Sequence, residues 1–174
     1  MFEEYLEDAF YFAVEAKEKS DEREAKRYYR SSVFYVASAL EAFINYISSI
    51  LSQGGLQQCE IALLTDRKFR LNNGRFEVSE VFQLHGIEDK VKFLICKFNP
   101  SFDFEHFAAW SQFLEFKDFR NAIVHPTHEY DEIELDEYRR KIKMGLSAII
   151  EIIDSLCQLI IKKPLRQKIR DLTL

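Results

Sequence analysis

The chain of 174 residues contains 5 Gly and 3 Pro, under half of the roughly 12% share typical of soluble chains. So little turn material disfavours sandwiches and barrels of many short strands, and glycine-rich nucleotide-binding folds as well. An apolar content of 47% supplies one buried core and excludes disorder for the whole chain, while a net charge of −5 argues against coating nucleic acid by bulk positive charge.

Tyr5, Ala9, Phe12 and Ala16 recur at the spacing of one helical face, so the pattern predicts a first helix over residues 2–19. Ser20-Asp21 offers an N-cap, with Glu24 three residues beyond Asp21 as in a capping box. A second helix runs from there to about Gln53, its stripe made by Tyr29, Val33, Val36, Leu40, Phe43, Ile44, Ile47 and Leu51. Gly54-Gly55 ends it.

Between Thr65 and Val78 the helical period fails, and Asn72-Asn73-Gly74 is a turn signal for a short hairpin or an exposed loop. This segment carries a basic patch of Arg67, Lys68, Arg70 and Arg75, flanked by Phe69 and Phe76. Ser79-Glu80 reads as the start of another helical stretch, interrupted by Gly86 and resumed from Ile87 to Phe98, where Asn99-Pro100 stops it. Asp103 is the expected cap of a helix containing Phe107, Trp110, Phe113 and Leu114 and running towards Ile123, with Pro126 closing it. An acidic loop follows over residues 127–135.

The strongest stripe comes last, in Ile142, Leu146, Ile149, Ile150, Ile153, Leu156 and Ile160; Pro164 ends it. The expectation is an all-α, up-and-down bundle of four to five helices with one basic loop or short hairpin insertion, a single domain over 1–163 and a basic tail over 164–174. Charge is distributed unevenly over this frame. Residues 1–24 hold nine acids and three bases, whereas residues 162–171 hold five bases and one acid. Cys59, Cys96 and Cys157 stand far apart and read as reduced, mostly buried thiols of a cytoplasmic protein. The acidic start is unlike a signal peptide, and Lys143, Glu151 and Asp154 interrupt the most apolar stretch, so neither secretion nor membrane spanning is expected.

The segment that speaks to chemistry is Phe119-Arg120-Asn121-Ala122-Ile123-Val124-His125-Pro126. An Arg followed by a His at this distance is common by chance, but an Asn directly after the Arg and a Pro directly after the His are much rarer together. Arg120-Asn121-x-x-x-His125 followed by Pro126, late in a short helical chain, resembles the signature of the HEPN superfamily. That resemblance implies a helical bundle that dimerises. It also implies a metal-independent endoribonuclease, of the kind found among toxins paired with a nucleotidyltransferase-type antitoxin and among anti-phage effectors. Some members have lost catalysis and serve as dimers that bind nucleotide or protein, which is the alternative reading.

On an ideal helix a five-residue step leaves Arg120 and His125 about 140° apart. Pro126 disfavours helical geometry at His125, so the imidazole is expected to leave the helical register. A two-fold axis near the segment is a second way to gather two Arg120 and two His125 side chains. RNA cleavage by a ribose 2′-OH needs a base, an acid and positive charge on the phosphorane. Paired His125 residues divide the first two roles and paired Arg120 guanidiniums supply the third. Asn121 would orient the phosphate or the imidazole. Glu41 and Asn45, four apart on the second helix, are supporting candidates.

Arg67, Lys68, Arg70 and Arg75 are candidate RNA contacts, with Phe69 available to stack on a base. His125-x-x-His128 with Glu129 and Asp131 is a possible metal set that no further ligand completes, so no metal or other cofactor is expected. His85 and His106 have no partner spacing and read as structural or solvated.

Overall fold

A computed structural model describes residues 1–125 and 133–174. Its elements in order are α1 (Phe2–Lys17), α2 (Glu22–Leu51), α3 (Gln58–Leu64), β1 (Arg67–Asn72), β2 (Arg75–Phe82), α4 (Ile87–Phe98), α5 (Ala108–Val124), α6 (Leu135–Leu156), a π-helical turn (Cys157–Ile161) and α7 (Gln167–Arg170). They gather into two compact units, Met1–Leu40 with Asp103–Leu174, and Glu41–Phe102, so that α2 contributes to both. The protein is mostly helical, but it is not purely all-α: a two-stranded antiparallel sheet stands among seven α-helices in the described residues.

In the first unit, α1 presents Leu6, Ala9, Ala13 and Ala16 to the core. Small residues on this face let α2 come close, and the buried Ser32 hydroxyl donates to the Ala9 carbonyl at 2.7 Å. Tyr5 and Phe12, from the expected α1 stripe, are half-buried and join Tyr35 in a ring cluster, Phe12 stacking on Tyr35 at 5.3 Å. At the start of α2 the Asp21 carboxylate accepts the Glu24 N–H at 2.7 Å, which fits the expected cap.

The α5–α6 pair forms the other wall. Phe113, Phe116 and Phe119 pack with Ile142, Leu146, Ile149 and Ile153 in the buried core. Gly145 lies beneath the Phe116 ring, where a Cβ would overlap ring carbons, so only glycine admits this approach. Asp103 caps the turn before α5 rather than α5 itself: its Oδ1 accepts the N–H groups of Glu105 and His106, and Phe107 occupies the N-cap of α5.

The stretch expected as a basic tail is packed. Leu165 and Ile169 are buried, Arg166 pairs with Glu3, and Lys168 pairs with Glu7 at 2.5 Å. The acidic first helix and the basic last segment therefore neutralise part of each other.

The second unit packs Phe43, Ile44 and Ile47 of α2, Ala62 and Leu64 of α3, and Val91, Leu94 and Ile95 of α4 in its core. Nothing in the sequence pattern singled out α3, yet it carries a capping box: the Glu60 carboxylate accepts the Gln57 N–H at 2.8 Å. Ser79-Glu80 does not start a helix; both lie inside β2, which pairs Phe69 with Val78, Arg70 with Glu77 and Leu71 with Phe76 across the hairpin. Asn73 and Gly74, at φ 47° and 78°, make the tight turn, as favoured for an Asn-Gly hairpin. The helix that follows begins only at Ile87, with Gly86 at its N-cap.

Of the cysteines only Cys157 is buried; Cys59 is half-buried and Cys96 exposed, a correction to the expectation of mostly buried thiols. Burial pushes the Cys157 thiol up to about 11, with Asp154 adding to the rise. By length and composition, Glu22–Leu51 and Leu135–Ile161 would suffice to cross a bilayer. Here their apolar faces supply much of the core just described.

Candidate functional site

In the first unit Arg120 lies just before the last turn of α5, Asn121 in that turn and His125 at the C-cap. Phe116 and Phe119, buried against α6, fix the rotation of this helix, and Phe119 meets the Tyr138 ring edge-on at 5.5 Å. Arg120 follows directly on that buried aromatic and is itself half-buried. Its Nη1 donates to the Asn121 Oδ1 at 3.1 Å, while its Nε is buried with no hydrogen-bond partner among the described residues.

Asn121 acts a second time through its backbone, its carbonyl accepting the His125 N–H at 2.9 Å. His125 then departs from the helix at φ −121° and ψ 65°, outside the α region that a following proline disfavours, and it is exposed. The expected break in register is therefore present in the backbone. The Asn121 amide, expected to orient the phosphate or the imidazole, here accepts from the Arg120 guanidinium.

Around this turn, charge is organised on the α5–α6 face. Glu115 accepts from Lys141 at 2.7 Å and from Arg140 at 3.3 Å, and these partners, Lys141 foremost, hold its carboxyl below the usual range against an opposing desolvation. Arg139 Nε donates to the buried Tyr29 hydroxyl at 2.8 Å, which joins α6 to α2 within the unit.

The remaining candidates belong to the second unit. Glu41 and Asn45 are exposed on α2 and line a cavity of about 210 Å³ together with Asp66, His85 and Lys90. Three of these went unrecognised in the sequence as a group. Lys90 is buried and pairs with Asp66 Oδ2 at 2.7 Å; Asp66 Oδ1 accepts the His85 N–H at 2.8 Å. His85 Nε2 lies 3.1 Å from the Arg67 carbonyl, so His85 is tied into the fold. His106 is the solvated one, 85% exposed and 2.6 Å from Asp103, whose carboxyl that contact holds low.

The basic patch changes character once the hairpin is folded. Arg67 pairs with Glu80 at 3.0 Å and Arg70 with Glu77 at 2.9 Å, and Asn72 also donates to Glu77. Lys68 and Arg75 keep no ion-pair partner among the described residues, which leaves two of the four candidate RNA contacts uncommitted. His128, Glu129 and Asp131 of the possible metal set lie outside the described residues. No protein-family model, no curated protein and no solved structure matches the chain.

Proposed function

We propose that this chain is a metal-independent endoribonuclease of the HEPN type, acting as a toxin or defence effector. In this reading it works as a homodimer whose composite site holds Arg120 and His125 from both copies. One His125 takes the proton of a ribose 2′-OH, which attacks the adjacent phosphorus. The second His125 gives a proton to the leaving 5′ oxygen, so the products carry a 2′,3′-cyclic phosphate and a 5′-hydroxyl. Arg120 supplies fixed positive charge to the phosphorane oxygens. A nucleotidyltransferase-type protein is the antitoxin such a toxin would take.

The observation that carries this reading is the state of Arg120. Its guanidinium is half-buried and held on one side by Asn121, and its buried Nε has no hydrogen-bond partner among the described residues, five positions before a histidine whose backbone has left the helix. An arginine serving only the fold would be expected to have its buried donors satisfied.

The test is cleavage of RNA by purified protein in EDTA, with end-group analysis of the products. His125→Ala and Arg120→Ala are expected to lower the rate by about 10²–10⁴-fold. Activity abolished by chelation, or unaltered in His125→Ala, would overturn the mechanism. A monomer by light scattering at micromolar concentration would remove the composite site.

A further inference from the structure

The cavity of the second unit is lined by Glu41, Asn45, Asp66, His85 and Lys90. At about 210 Å³ it is smaller than the roughly 300–1,000 Å³ of pockets that enclose drug-sized molecules, so it suits one ring system. Its polar lining is also incompletely used. Glu41 and Asn45 have no hydrogen-bond or ion-pair partner among the described residues, and Lys90 spends one of its three donors on Asp66.

The other groups hold this lining in place. Asp66 sits at φ 56°, a left-handed conformation costly for a residue with a Cβ, and is tied by its carboxylate to both His85 and Lys90. The Gln83 N–H adds a bond to the Asp66 carbonyl at 2.8 Å. The His85 ring is fixed through its Nε2 at the Arg67 carbonyl and backed by Phe69 at 5.4 Å, which makes it a rigid flat surface.

A ligand satisfying these groups must offer paired donors to a carboxylate and, beside them, an acceptor to an amide or ammonium group. It must also offer a face to an imidazole. Guanine has this pattern on its Watson–Crick edge, where N1–H and N2–H₂ stand next to O6. Adenine turns the N1 lone pair towards the carboxylate, and uracil flanks its single N–H with two carbonyls. As an extension of the ribonuclease reading, on which it rests for the source of the base, we propose that this cavity binds a guanine base. Glu41 accepts N1–H and N2–H, Asn45 and Lys90 donate to O6, and His85 stacks on the ring.

The experiment uses full-length His125→Ala protein, so that binding is read without cleavage. GMP and AMP are titrated by calorimetry, alongside two single-stranded RNA oligomers that differ only by one G in place of A. GMP is expected to bind about ten-fold or more tighter than AMP. Glu41→Gln should abolish that preference while leaving the melting temperature unchanged, and Asn45→Ala should weaken it. A preference for the G-containing oligomer assigns the base to RNA; a preference confined to GMP assigns it to a free nucleotide. Equal binding of GMP and AMP, or a preference that survives Glu41→Gln, overturns the proposal. It fails separately from the nuclease reading: a guanine preference with no cleavage by wild type sinks only the nuclease, and cleavage with no guanine preference sinks only the pocket.

Discussion

The end of α5 and the cavity of the second unit solve the same problem, holding polar groups partly out of water, in opposite ways. Around Arg120 precision comes from apolar packing: Phe116 and Phe119 lock the helix against α6, and one neighbour, Asn121, steadies the guanidinium. Around Lys90 it comes from a charge network, with Asp66 as its hub and a strained backbone conformation accepted to keep it there. The first arrangement is expected to tolerate loss of charge and not loss of shape. The second should behave the other way round.

Substitution can break this contrast, and the largest effect is expected at Asp66. Asp66→Ala leaves Lys90 buried without its counter-charge, a loss of about 3–5 kcal/mol. Hydrogen exchange should show the loosening in α3, the hairpin and α4. Unchanged protection there would mean that the pair is not what holds the cavity.

Next in size is Gly145→Ala, which drives a methyl group into Phe116 and is expected to destabilise the protein by about 1–3 kcal/mol. Protection should fall in α5 and α6, and any cleavage activity should fall with it, because Arg120 rides on the helix that must shift. A melting temperature equal to wild type would show that shape is not decisive at this end.

The smallest effect concerns Glu115, whose carboxyl Lys141 and Arg140 hold below its ordinary value of 4.5. A depressed carboxyl stabilises the fold above that value and loses the contribution as pH falls from about 4.5 through the folded-state value. Because Glu115 is 46% exposed, water screens the pair and the contribution stays within about 1 kcal/mol. Thermal melts of wild type and Glu115→Gln should therefore differ at pH 7 and converge towards pH 3. A constant difference across that range would assign the effect to packing.

The long helices were legible because their stripes are local: every residue needed to predict α2 or α6 lies within that helix. The break at His125 was legible for the same reason, since Pro126 acts on its immediate neighbour. Beyond that range the reading weakened. Ser79-Glu80 imitates a helix start, and the alternation of Phe76 and Val78 with Glu77 and Ser79 was the competing signal for a strand.

The basic patch looked uncompensated because its acids, Glu77 and Glu80, lie on the returning strand and meet Arg70 and Arg67 only through the hairpin register. No spacing rule joins Asp66, His85 and Lys90 to Glu41. A turn, a hairpin and two helices have to fold before those side chains share a cavity.

The double use of Asn121 has a consequence for how the end of α5 can vary. Side chain and carbonyl of one residue serve Arg120 and His125 respectively, so the step between the two is counted in whole helical residues. Inserting or deleting a single residue between Asn121 and His125 would swing the imidazole by about 100° and move it about 1.5 Å along the axis, while the guanidinium stayed where it was. In relatives of this chain, length should therefore be frozen across these four peptide bonds, even where side chains at 122, 123 and 124 exchange one apolar shape for another.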